Sequence, residues 1–376
     1  MTEKSVEIRK VTQADLKVGM LIPWNVYGTD GRLLARKGYL IASAGQIDAL
    51  VERGVYQDAV DDAAGKGPPS ALRHLNAARL ELQGLLVAIA AAVAPAGVRR
   101  QLDEVARLID EAIDVSADVA VACILHNQSA SYPVPHSVDS AVVAQIAARA
   151  LGWRPDAIRS LTLAALTMNV GMLAQHERLH DHGGDLSAQD RDYVRSHPEI
   201  GVALLRRAGI DDADWLDFVL SHHENVDGSG YPEGRSGAQI PDGARLLALA
   251  DRYCASVSAR TRKPPLLPNV ALRELLLQSG QQVDAQQAAA LIRELGIYPV
   301  GSCVLLSNGE TGIVARKGLS ATTPYVDAVV GPRGAPLDVY LHRKTGALHA
   351  IREVLAVNPS PVPLRMEQIW GRAASL

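Results

Sequence analysis

Residues 222–253 read HHENVDGSGYPEGRSGAQIPDGARLLALADRY. Two adjacent histidines, His222 and His223, precede Glu224 and a turn-rich segment from Asp227 to Pro232. Gly228, Gly230 and Pro232 specify a sharp turn, which on physical grounds could simply join two helices. The stretch from Asp214 to His223 reads as a helix ahead of that turn, and Ala244 to Ser256 as one behind it. Asp251 lies on the second of these.

The helical pattern extends outward in both directions. Leu72, Leu75, Ala78, Leu82 and Leu85 recur at three- and four-residue steps, as do Val105, Leu108, Ile109, Ala112 and Ile113. Val138, Val142, Ile146 and Ala150 form a further apolar face, and 161–173 and 190–208 continue the series. The expected fold class is therefore mainly α over 71–295. Residues 1–65 read as a small α+β module, with a hairpin turn at Asp30–Gly31 and a helix over 43–51 capped by Ser43. GKGPPS at 65–70 reads as a linker. After Gly296 short strand-like runs (302–306, 311–315, 328–330, 337–341) and the turn Asn308–Gly309 predict a β-rich extension over 296–376.

Composition narrows the function classes. The 376 residues carry 38 basic and 41 acidic side chains, a formal charge of −3, which excludes a chain-wide basic surface for extended nucleic acid. Aromatics are 4%, with one phenylalanine, Phe218, so the core must be mostly aliphatic. Cys123, Cys254 and Cys303 are too scattered for a disulfide framework or a CxxC site. The opening MTEKSVEIRK lacks a signal-peptide stretch, and 82–98 is interrupted by Gln83 and Pro95, so a buried helix is expected there rather than a membrane span. These features predict a cytoplasmic protein.

His136 and His197 are each expected to open a helix, and with His222, His223 and Asp251 they are candidate metal ligands. Neutral imidazole and carboxylate oxygen both bind Zn, Mn or Fe. Alone, each histidine could equally be a cap or a surface group. Neighbouring histidines on one helix diverge by roughly 100°, so the pair could serve two metals, or one metal and a phosphate.

HHENVDGSGYP at 222–232, followed by IPDGARLLALADRY at 240–253, resembles the HD-GYP family, HD-superfamily proteins that hydrolyse cyclic di-GMP. YPVPHSVDSAVVAQIAARALG at 132–152 and HPEIGVALL at 197–205 are similar to the family's earlier histidine helices. The stretch at 15–50 resembles a module often found before this domain, and 294–318 its usual C-terminal extension. The resemblance implies an HD-domain-like helical bundle with His136, His197, His222, His223 and Asp251 as metal ligands. It also implies that the loop of Asp227, Gly228, Gly230, Tyr231 and Pro232 contacts diguanylate cyclases.

One departure dominates. Where the family reads LLHDIGK, this chain reads LTMNVGM over 166–172. The resemblance makes Met168 the replacement for a ligand histidine, Asn169 for a bridging aspartate, and Met172 for a phosphodiester-binding lysine. A thioether is a poor ligand for a hard or borderline hydrolytic metal, and an amide is a weak substitute for a bridging carboxylate. His180–Asp181 spells HD and Glu177 is a nearby carboxylate, but both fall in a polar stretch read as a loop. Behind Asp251 the family's second aspartate is replaced by Cys254. Arg260, Arg262 and Lys263, together with Tyr231, are candidate nucleotide contacts.

The expected cofactor is thus at most one divalent metal (Fe, Mn or Zn), against the family's two or three. The expected function is a catalytically impaired regulatory module that binds cyclic di-GMP or a signalling partner. An active phosphodiesterase yielding pGpG or GMP, and a pure interaction scaffold, are the alternatives.

Overall fold

The computed structural model describes residues 8–18, 20, 22, 26–28, 33–35, 41, 44–57, 69–127, 133–175, 187–258, 264–356 and 364–376. The chain divides into two compact units, 1–68 and 69–376.

In the first unit, strands β1 (Ile8–Lys10), β2 (Val26–Gly28), β3 (Leu33–Ala35) and β4 (Gly54–Gln57) form an antiparallel sheet in the order β1-β4-β2-β3. Val26 pairs with Ala35 and Tyr27 with Leu33. The expected turn residues Asp30–Gly31 and the expected cap Ser43 lie outside the described residues. Helix α1 (Ala44–Arg53) contributes Leu50 to a core with Val11, Leu16, Ile22, Val26 and Ile41.

The second unit is mainly α, a helical bundle with a small sheet. Its helices are α2 (Ala71–Ala90), α3 (Val98–His126), α4 (Pro133–Ala150), α5 (Pro155–Thr167), α6 (Ala188–Arg207), α7 (Ala213–Ser221), α8 (Asp242–Val257), α9 (Pro268–Leu277) and α10 (Ala285–Leu295). Ser70, Ser187, Asp212 and Asp284 cap α2, α6, α7 and α10 by accepting a backbone N–H. The stretch 82–98 is the end of α2, which buries Leu82, Leu85, Leu86 and Ile89 and exposes Val87, followed by a turn, and no helix among the described residues is long and apolar enough to cross a membrane.

Helix α4 is the centre of the bundle. Residues 136–148 are all buried, because α3, α5 and α8 pack around it. A carboxylate buried on such a helix needs a partner. Asp139 takes a hydrogen bond from Arg79 of α2 at 2.7 Å. Burial still pushes the Asp139 carboxyl above its ordinary value.

Two sequence expectations are corrected here. A single helix over 161–173 does not form: α5 stops at Thr167, and Val170–Gln175 winds as a tighter 3₁₀ turn. Gly171 enforces this. A Cβ there would sit 2.1 Å from the His197 carbonyl oxygen, so the turn presses backbone to backbone on α6. His197 does not open a helix but lies in the middle of α6, which tolerates Pro198.

Strands β5 (Cys303–Leu306), β6 (Thr311–Arg316), β7 (Tyr325–Val330), β8 (Pro336–Lys344) and β9 (Ile351–Leu355) form an antiparallel sheet in the order β8-β7-β6-β5-β9. Val304, Leu306, Val314, Val326 and Val354 join the same core as the helices. A short helix α11 (Met366–Trp370), unforeseen from sequence, follows, and Trp370 Nε1–H donates to the Ala315 carbonyl at 2.8 Å.

Across this sheet Arg343 donates two hydrogen bonds to Glu310, at 2.6 and 2.7 Å. The Arg343 guanidinium holds the Glu310 carboxyl down at about 2. A depressed carboxyl contributes stability above its unfolded value, ~4.3, that is lost as pH falls toward the folded one. Glu310→Gln is expected to cost roughly 2 kcal/mol at pH 7 and progressively less from pH 4.5 to 2, read from urea midpoints. An equal cost at pH 7 and pH 2 would contradict the pairing.

Candidate metal centre

Three of the five candidate ligands converge. The ligating atoms of His197, His222 and His223 lie within 4.8 Å of one another. His197 comes from α6; His222 and His223 follow the last residue of α7, Ser221, rather than lying on one helix as expected. The backbone reversal past α7 turns both rings toward His197, with ring centroids 5.2 and 5.0 Å away.

The backbone fixes the tautomers. In α6, Pro198 has no N–H to give to the carbonyl of Val194, four residues back. That carbonyl instead accepts from His197 Nδ1–H at 2.6 Å. At the end of α7 the Val219 carbonyl is likewise left over, and it accepts from His222 Nδ1–H at 2.7 Å. Carbonyls only accept, so both Nδ1 atoms carry the proton and both Nε2 atoms carry lone pairs.

These two Nε2 atoms face each other at 3.3 Å. Neither has a proton to share while the rings are neutral. Desolvation by burial keeps them so: it lowers His197 to about 3 and pushes His222 and His223 below their ordinary value. Two lone pairs at this distance call for a cation. Nitrogens ~2.0–2.1 Å from a tetrahedral ion lie about 3.3–3.4 Å apart, so the donor set fits a metal. Donation of Nδ1–H to a carbonyl is also the usual orienting contact of a metal-ligating histidine.

The other two candidate ligands bond each other. His136 Nε2 donates to Asp251 Oδ1 at 2.7 Å, with both side chains buried. Burial would raise the Asp251 carboxyl, but this bond and the surrounding imidazoles hold it below the ordinary range. Neither residue joins the three-histidine cluster among the described residues.

Met168 is fully buried at the end of α5, and Asn169 is 9% exposed. Met172 is half-buried and its amide donates to the Asn169 carbonyl. Their turn is held against the His197 turn of α6 by the Gly171 contact and by Tyr193, whose hydroxyl donates to the Gly171 carbonyl at 3.0 Å. The segment that departs from LLHDIGK therefore borders the cluster. Cys254 is buried. Glu177, His180, Asp181, Arg260, Arg262 and Lys263 lie outside the described residues.

The Gly-rich loop folds back over the centre. Asp227 accepts from the Ser229 amide at 2.9 Å, Gly228 takes φ +81°, and the Tyr231 amide donates to the His223 carbonyl at 3.2 Å. A Cβ on Gly230 would lie 2.4–2.6 Å from the backbone of 223–225, so only glycine passes there. Glu224 accepts from the amides of Glu233 and Gly234 and closes the loop. Tyr231 thereby stacks on His223, with centroids 4.8 Å apart and planes at 26°. The Arg195 guanidinium lies 5.1 Å from the Tyr231 ring centroid.

Sequence reasoning assigned no role to Arg195 or Arg252. Arg195 stands two residues before His197, on the same helix, which was the available clue. Arg252, next to Asp251, bonds Asn225 and lines a cleft of about 260 Å³ with His223, Asp251, Ser256, Ser258 and Gln278.

Residues 112–286 match the family described as HD domain. The chain is 33% identical over 206 residues to cyclic di-GMP phosphodiesterase PA4108 of Pseudomonas aeruginosa, covering 54% of this chain and 50% of the relative. It is 34% identical over 152 residues to the cyclic di-GMP phosphodiesterase response regulator RpfG of Xanthomonas campestris pv. campestris, covering 40% of each. The chain thus spans half or less of the length of these curated relatives. Among solved structures, Bd1817, a HDG"Y"P protein from Bdellovibrio bacteriovorus, superposes with a TM-score of 0.50 at 16% identity, over 76% of this chain and 98% of that one, a likeness of fold. The matched domain, the two relatives and the loop closed over paired histidines agree: residues 112–286 form an HD domain that is similar to those of cyclic di-GMP phosphodiesterases of the HD-GYP kind.

Proposed function

We propose that this chain is a cyclic di-GMP-binding regulatory module with a one-metal centre and strongly reduced hydrolysis. The observation that carries this is the state of the carboxylates. Asp251 is engaged by His136 at 2.7 Å, and the neighbouring turn offers the neutral amide of Asn169 where a bridging carboxylate is expected. A pair of ions that clamps attacking and leaving oxygens needs such a bridge.

His197, His222 and His223 would hold the single cation. When bound, it would supply positive charge against phosphoryl oxygen. This chain's own residues do the rest of the binding. Arg252 places a guanidinium at the wall of the cleft, and the Tyr231 ring, backed by Arg195, keeps His223 in place. Met172 puts no cation near the phosphate, which removes a further source of transition-state stabilisation. Each ~1.4 kcal/mol lost is a tenfold loss of rate, so the three changes together suppress turnover thousands-fold.

A working phosphodiesterase yielding pGpG or GMP is the second reading, favoured by the intact three-imidazole cluster. Equilibrium binding and product formation with cyclic di-GMP, on metal-loaded protein, separate the two. Binding without detectable pGpG or GMP is expected. Turnover that His223→Ala abolishes would overturn the regulatory reading.

A further inference from the structure

We propose that the three-histidine centre selects a nitrogen-preferring cation, Zn²⁺ or Cu⁺, over the oxygen-preferring Mn²⁺ and Mg²⁺. The inference rests on the one-metal reading above and deepens it.

The donor set is all imidazole and formally uncharged. His197 and His222 present lone pairs 3.3 Å apart, and His223 completes the triangle. Position 169, where a carboxylate would harden the site, is an amide, and the one carboxylate that faces the imidazoles, Asp251, is bonded to His136. Mg²⁺ and Mn²⁺ bind through carboxylate, carbonyl and water oxygens, whereas imidazole suits zinc and copper.

Burial sharpens the preference. His197 and His222 are essentially inaccessible to solvent, so an ion there exchanges most of its water for protein nitrogen. A strongly hydrated oxygen-seeking dication loses most in that exchange.

The test uses the full chain stripped of metal by chelator dialysis. Zn²⁺, Mn²⁺, Mg²⁺ and, without oxygen, Cu⁺ are each titrated against a competing chromophoric chelator, with the thermal midpoint followed in parallel. One Zn²⁺ or Cu⁺ per chain is expected, bound ~10³-fold or more tighter than Mn²⁺, with no midpoint shift for Mg²⁺. Asn169→Asp, which adds an oxygen anion on the turn held against the His197 helix, is expected to narrow the gap between Zn²⁺ and Mn²⁺ at least ~10-fold. Mn²⁺ binding within tenfold of Zn²⁺, or an unchanged gap in Asn169→Asp, would overturn the selectivity and leave the one-metal centre standing. Failure of every ion to bind would remove the centre itself.

Discussion

The triple variant Met168→His, Asn169→Asp, Met172→Lys is expected to raise cyclic di-GMP hydrolysis by about 10³-fold or more over the natural chain. The scaffold for it is in place. The turn at 168–172 is already pressed on the His197 turn through Gly171, so the segment that would carry the new side chains is held against the helix of His197. The aspartate restores a bridging anion, the histidine a nitrogen donor, and the lysine a charge for the phosphodiester. Asp251, now bonded to His136, would face a competing cation. Single reversions are expected to recover far less than a third of the gain each, since the two-ion clamp needs all its parts. Product formation by chromatography measures the effect. A triple variant that folds, binds two ions and still shows no turnover would mean that the loss of activity lies elsewhere in the chain.

The largest expected effect on stability is at Trp215. Its ring is fully buried in α7, and its Nε1–H donates to Thr167 Oγ1 at 2.8 Å. Thr167 in turn donates to the Leu163 carbonyl at 2.8 Å. This chain of contacts ties the end of α5, just before Met168, to the helix that leads into His222 and His223. Trp215→Ala is expected to cost about 3–5 kcal/mol and to lower the thermal midpoint by on the order of 10 °C. Trp215→Phe keeps most of the buried ring and loses the donor, for about 1–2 kcal/mol. Because the tether also sets the spacing of α5 and α7, Trp215→Ala is expected to weaken zinc binding as well. Unchanged zinc affinity in a folded Trp215→Ala protein would separate the two roles.

The helices were legible because their apolar period is unambiguous. Leu72, Leu75, Ala78 and Leu82 are all buried, as their spacing requires. The ends of helices were harder. Past Thr167 the chain leaves α5 for a 3₁₀ turn whose close fit is tertiary, the contact of Gly171 with the His197 backbone, which no local pattern carries. His197 is expected from sequence to open a helix but lies in the middle of one, followed by Pro198. In the fold the same proline frees the Val194 carbonyl that orients the ring. The candidate ligands were named from the resemblance, but their partition was not visible. His136 and Asp251 stand 115 residues apart, and only folding shows that they bond each other and leave three imidazoles as a group. The stacking of Tyr231 on His223 and the approach of Arg195 likewise depend on the loop closing over the centre.

The number of ions per chain tests the reduced centre most directly. Native mass spectrometry of the zinc-loaded full chain is expected to show one ion, lost in His223→Ala and raised to two in the triple variant. Two ions in the natural chain would contradict a centre built on His197, His222 and His223 alone.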